Sequence, residues 1–122
     1  MSGLLGRQAA ILIEMYGEDV TIVPYKGKEY DDDDVYRKSK GFDEDSSFTK
    51  KGRVYTSVDS KKLEEFGFVN DGDAIMWFDE DVVETGYKIQ YLGAEYVVVE
   101  KVTHQAGDGP YRWVVNLERA ER

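Results

Sequence analysis

Polar and apolar positions change period several times along this chain. In residues 4–16, Leu5, Ala9, Leu12 and Tyr16 recur three or four apart, with Leu4, Ile11 and Met15 widening the apolar face. That spacing predicts a helix, and Gly17 is a natural C-terminal stop. The period then drops to two: Val20 and Ile22 share one face of a strand over 19–23, which Pro24 ends. Val54, Thr56 and Val58 alternate in a second strand. Asp59 or Ser60 can cap a short helical turn carrying Leu63 and Phe66, closed by Gly67. Asn70-Asp71-Gly72-Asp73 reads as a turn, Ala74–Phe78 as an apolar strand, and Asp79-Glu80-Asp81 as an exposed acidic connection. A hairpin follows, with residues 87–91 alternating, 92–94 turning and 96–99 returning. After a loop at 107–110, Tyr111, Trp113, Val115 and Leu117 put one apolar face on a last strand, and 118–122 form a charged, fraying tail.

Residues 26–53 stand apart. Their large apolar side chains are Tyr30, Val35, Tyr36, Phe42 and Phe48, and no period of two or of 3.6 persists. This predicts a long polar loop or insertion, with at most a marginal hairpin. The pattern as a whole predicts a single, mainly β domain over 1–122: a small antiparallel barrel or sandwich of five to six strands with an N-terminal helix. No helix separates the C-terminal strands, which argues against a parallel α/β sheet.

Composition narrows the function classes. The 122 residues suit one modest core, and 13% aromatic content suits strands and partner-facing surfaces. With no cysteine, a disulfide, a thiolate metal site and a thiol nucleophile are all excluded. The start, Met1 to Arg7, does not read as a secretory signal, and no apolar run has membrane-spanning length. A net charge of −9 argues against a protein that coats duplex DNA. That charge is uneven: residues 26–53 balance eight acidic against eight basic side chains, whereas 54–110 carry twelve acidic and four basic. The Asp31-Asp32-Asp33-Asp34 run is thus locally neutralised, and the β-rich half is the acidic body.

No catalytic constellation is readable. His104 is the only histidine, placed between a strand and a loop, and reads as an exposed loop residue. Neither the Asp run nor Asn70–Asp73 has EF-hand spacing. Adjacent carboxylates such as Glu64/Glu65 and Asp79/Asp81 are expected by chance among 25 acidic residues. The glycines form no phosphate loop. An enzyme, a metal and a cofactor are therefore not expected. Trp77, Phe78, Tyr91, Tyr96 and Trp113 read mostly as core or barrel-face residues. An OB-like module stacking single-stranded nucleic acid on Trp77, Tyr91 or Trp113 is the alternative, and the acidic surroundings count against it. In the polar loop, Tyr36, Phe42 and Phe48 suit either partner docking or packing on the parent domain.

Three stretches carry a family resemblance. A leading helix enters a strand through Gly17-Glu18-Asp19-Val20-Thr21, Gly67-Phe68-Val69-Asn70-Asp71-Gly72-Asp73 precedes an apolar strand, and Gly86-Tyr87-Lys88-Ile89 leads through Gly93 to Tyr96-Val97-Val98. In this order they resemble the head–tail connector proteins of tailed bacteriophages, also called head–tail joining, head-completion or stopper proteins. Tyr87 stands where that family usually has an acidic residue. The resemblance covers most of the chain outside 26–53. It implies a β-barrel subunit of a homo-oligomeric ring in the virion neck, assembled in the host cytoplasm. The implied partners are the portal or adaptor and tail-completion proteins, with DNA passing through without sequence-specific binding and no membrane involved. The candidate partner-contact loop is then Tyr30, Asp31, Asp32, Asp33, Asp34, Tyr36, Phe42 and Phe48, and the candidate inter-subunit helix face is Leu4, Leu5, Ile11 and Met15.

Overall fold

The computed structural model describes residues 4–25, 42–107 and 109–120. Helix α1 (Leu4–Tyr16) leads into strand β1 (Glu18–Val23). A short 3-10 turn (Glu44–Ser46) precedes β2 (Phe48–Tyr55), and helix α2 (Ser60–Phe66) precedes β3 (Ala74–Phe78). Strands β4 (Lys88–Tyr91), β5 (Ala94–Ala106) and β6 (Gly109–Arg119) complete the chain. All neighbouring strands pair antiparallel and close into a six-stranded barrel in the order β1-β2-β3-β6-β5-β4.

Local chemistry explains the helix ends and turns. Gly17 N closes α1 on Ile13 O at 2.8 Å. The Asp59 side chain caps α2 by accepting from Lys62 N, and Gly67 ends it in the left-handed region at φ 94°. The β4–β5 hairpin turns on Leu92 (φ 47°) and Gly93 (φ 80°). Two consecutive positive φ values define the turn whose twist suits a tight hairpin.

The barrel has two apolar layers. Inside lie Val20, Ile22, Ala74, Met76, Phe78, Ile89, Tyr96, Val98, Val115 and Leu117. Outside, beneath the helices, Ala9, Ile13, Leu63, Phe66, Phe68, Ile75, Trp77 and Val114 form a second cluster. β3 supplies both, because alternate side chains of a strand point to opposite faces. All five of its residues are buried, which is why it reads as an unbroken apolar run. Val83, from the 79–87 connection, also joins the inner cluster.

Several expectations need correction. The polar loop ends earlier than 53: β2 starts at Phe48, pairs with β1 through Gly52 and with β3 from Arg53. Only Gly52 is buried along β2, so this strand is held by backbone pairing and shows no apolar period. A Cβ at Gly52 would come within 2.5 Å of the Phe78 ring, so glycine lets the inner aromatic lie directly on the strand. The second strand also stops at Tyr55, short of Thr56 and Val58.

Next, β5 runs on to Ala106 instead of ending near Val99, with irregularities at Val98/Glu100 and His104/Gln105. Val98 faces Leu117 and Glu100 faces Asn116, leaving Val99 as an extra residue. Such a bulge reverses which side chains face in. Val98 points into the barrel, while Glu100, Val102 and His104 follow Asn116, Val114 and Arg112 to the outside. At the second irregularity Tyr111 is skipped, so it joins the outer layer rather than sharing a face with Val115 and Leu117.

The tail is paired further than expected. Arg119 N donates to Asp73 Oδ2 at 2.7 Å, and Ala120 N donates to Glu95 O at 2.9 Å. The acidic connection 79–81 exposes Glu80 and Asp81, as expected, and lysines tie it down, as described below.

Candidate interaction surface

Helix α1 is apolar nearly all round. Gly6, Ala9 and Ile13 are buried against the barrel. The opposite side presents Leu4, Ile11 and Met15 to solvent at 62%, 53% and 65% exposure, with Leu5 and Leu12 along the rim. The four helix residues singled out from the sequence are thus all exposed. Arg53 Nη1 donates to Tyr16 O at 3.2 Å, securing the C-terminal end of α1. The guanidinium also lies over the Tyr16 and Tyr55 rings.

Beside α1 the outer layer becomes a belt of cations and rings. The Arg112 guanidinium sits 5.2 Å from the Phe66 and Trp77 rings and 5.7 Å from Tyr111. Its Nε donates to His104 Nδ1 at 2.9 Å. That contact assigns the tautomer: Nδ1 must accept, so Nε2 carries the proton and donates to Phe66 O at 2.9 Å. His104 therefore ties α2 to β6 from within a strand; it is not the exposed loop residue expected. Trp77 is only 2% exposed, covered by this layer. Its Nε1 makes a long hydrogen bond to Tyr55 Oη, 3.5 Å. Burial acts to raise the Tyr55 phenol's pKa, but the Trp77 and Arg53 hydrogen bonds outweigh it and hold the pKa below the usual value.

Lysines elsewhere are handled differently. Lys50 lies 2.6 Å from Glu80 Oε1 and 3.3 Å from Asp79 Oδ1. The Asp79 oxygen is buried, and the Lys50 ammonium is the charge that faces it. Lys101 bridges Asp81 (2.5 Å) and Glu84 (3.0 Å). Lys88 bridges Glu44 (2.9 Å) and Glu95 (3.5 Å) and covers the Phe42 ring. For Lys50 and Lys101 burial pulls the pKa down, but the paired carboxylates win and lift it above 10.5. The Glu44 hydrogen bond does the same for Lys88.

The expected partner-contact loop is only partly described. Tyr30, Asp31 to Asp34 and Tyr36 lie outside the described residues. Phe42 forms an isolated bridge with Tyr25 and packs on its ring edge-on at 5.4 Å. Phe48 opens β2, partly exposed, opposite Ile22.

The motif residues behind the resemblance build turns. Val69 N and Asn70 N donate to the Glu100 carboxylate at 3.0 and 3.1 Å. Asn116 Nδ2 donates to Asn70 O at 3.0 Å and lies 3.3 Å from Glu100 Oε1. Burial acts to raise the Glu100 pKa, but these donors outweigh it and hold the carboxyl below its ordinary value. A Cβ on Gly72 would fall 1.7 Å from Asn116 Oδ1, so the loop can close over the buried amide only with glycine there. Gly86 (φ 93°) and Gly93 occupy left-handed positions. No sequence signal pointed to this network or to the His104–Arg112 contact, because Glu100 and His104 face outward only past the Val99 bulge.

Among the described residues no cluster of His, Asp and Glu is placed to hold a metal ion, and no helix is long and apolar enough to cross a membrane. No family model and no curated protein matches the chain.

Proposed function

We propose that this chain is a structural subunit of the head–tail neck of a tailed bacteriophage. It binds below the portal, extends or closes the DNA channel and offers a docking surface to the tail. The observation that carries the reading is the outward stripe Leu4, Ile11 and Met15 on α1, which no described residue covers, on a closed barrel in an acidic chain. A contiguous exposed apolar stripe on a small soluble domain marks an interaction surface. Seated on a different patch of the next copy, such a stripe makes a head-to-tail contact, and contacts of that kind generate a ring when the rotation between neighbours closes. A net charge of −9 suits a channel through which DNA slides without being gripped.

The test is reconstitution on portal-bearing, DNA-filled heads, scored by electron microscopy at the portal vertex. The wild-type protein should add density there, and Ile11→Ser/Met15→Ser should not. Absence of wild-type density would sink the neck reading, whereas normal assembly of the variant would sink only the role given to α1. The rival reading, a single-strand-binding module, is less well supported: Trp77 is covered and the Tyr91 phenol is engaged by Glu18. A titration with single-stranded oligonucleotides at low salt should show no binding. Micromolar affinity that falls with salt would reverse the ranking.

A further inference from the structure

Between α1 and the barrel lies a cleft of about 210 Å³, lined by Leu5, Ala9, Leu12, Trp77, Tyr111 and Arg112. Its walls are mostly aliphatic and aromatic, with the Gln8 amide and one cation, Arg112, among them. Arg112 is unlike Lys50, Lys88 and Lys101, which each sit between two carboxylates. Its described partners are three rings and the neutral His104, and among the described residues no carboxylate meets it. The Nε–H is used, which leaves the terminal N–H groups of a guanidinium held rigidly in an apolar setting. A carboxylate matches that fork geometrically, and low local polarity strengthens the pairing.

We propose that this cleft is a docking site for another protein, taking a Leu- or Met-sized side chain flanked by an aspartate or glutamate. The volume suits one such side chain rather than an extended ligand. The cation supplies the complementary charge in a chain that is otherwise strongly acidic. The inference rests on the interaction-protein reading and adds to it a second surface, separate from the outward stripe of α1.

Blocked pentapeptides test it: Ac-Ser-Glu-Leu-Asp-Ser-amide, its Gln/Asn counterpart without charge, and its counterpart with Ser in place of Leu. Backbone and indole N–H chemical shifts of the full chain report binding. The charged, Leu-bearing peptide should shift the Trp77 indole and the Leu12 and Tyr111 amides, and the other two should not. Arg112→Gln should weaken that binding by about tenfold, the loss of one charge-assisted hydrogen bond. Because Arg112 also supports His104, Leu12→Ser on the exposed rim is the second variant. It should weaken binding while leaving the barrel shifts in place. Equal shifts from all three peptides, or none at millimolar concentration, would overturn the proposal. So would the same shifts appearing with protein concentration alone, which would make a second copy the occupant. Peptide binding without assembly on heads would instead fault the neck reading, and assembly without peptide binding would fault only the cleft.

Discussion

The two faces of β3 are closed in different ways. Inward, Ala74, Met76 and Phe78 meet side chains of other strands, and the layer is wholly apolar apart from the Tyr96 hydroxyl. Outward, Ile75 and Trp77 pack with helix residues and, at Trp77, with the Arg112 guanidinium, and the covering helix α1 turns a second apolar side to solvent. The inner layer needs nothing beyond the chain itself. The outer layer completes the fold and, among the described residues, leaves over an apolar stripe and a cation that no carboxylate meets. Structural and interactive roles thus divide across one strand.

Substitutions can break that comparison. Phe78→Ala empties the inner layer and should cost about 3–5 kcal/mol in denaturant unfolding, since the barrel cannot collapse onto the space. Ile13→Ala, under α1, should cost about 2–4 kcal/mol, toward the low end because the helix can settle. A loss as large as that of Phe78→Ala would mean that the outer layer is as rigid as the inner. Gly72→Ala should force the 69–73 loop off Asn116, which amide exchange at Val69 and Asn70 would reveal. Leu92→Asn should stabilise by up to about 1 kcal/mol, because asparagine tolerates the left-handed turn that leucine occupies at a cost. Ile11→Ser and Met15→Ser should each change stability by no more than about 0.5 kcal/mol. A larger loss would place the stripe in the fold rather than in an interface.

The ionisable contacts predict pH behaviour with opposite signs. The Glu100 carboxyl is held below its ordinary 4.5, so its contribution is present above that pH and is lost as pH falls through the folded value. Glu100→Gln should flatten the acid limb of the stability curve. The Tyr91 phenol, hydrogen-bonded to Glu18, is pushed up to about 12. Its contribution is complete below the ordinary 10.0 and is lost as pH rises toward 12. Ultraviolet titration should show one tyrosine ionising late, and Tyr91→Phe should remove that step.

Several elements could be read directly because their causes are local. The Asp59 cap, the Gly67 stop and the apolar run of β3 each depend on neighbouring residues alone. Helix α1 was legible for the same reason, from the spacing of its apolar residues, but which of them face the barrel was decided by packing, which buries Gly6, Ala9 and Ile13. Residues 48–53 were missed because their strand is held by backbone pairing and by Lys50, which reaches for carboxylates far away in sequence. His104 was misplaced because β5 continues past a bulge that no local residue announces.

By itself, then, the sequence determined the β-rich class, the helix and its apolar excess, the hairpin and the acidic character, all consequences of short-range pattern and composition. The tertiary structure decided closure into a barrel, the start of β2 and the company kept by Arg112, Glu100 and His104. Those outcomes depend on strand register. One extra residue at Val99 reverses which side chains face outward, and register is a property of paired strands rather than of either strand alone.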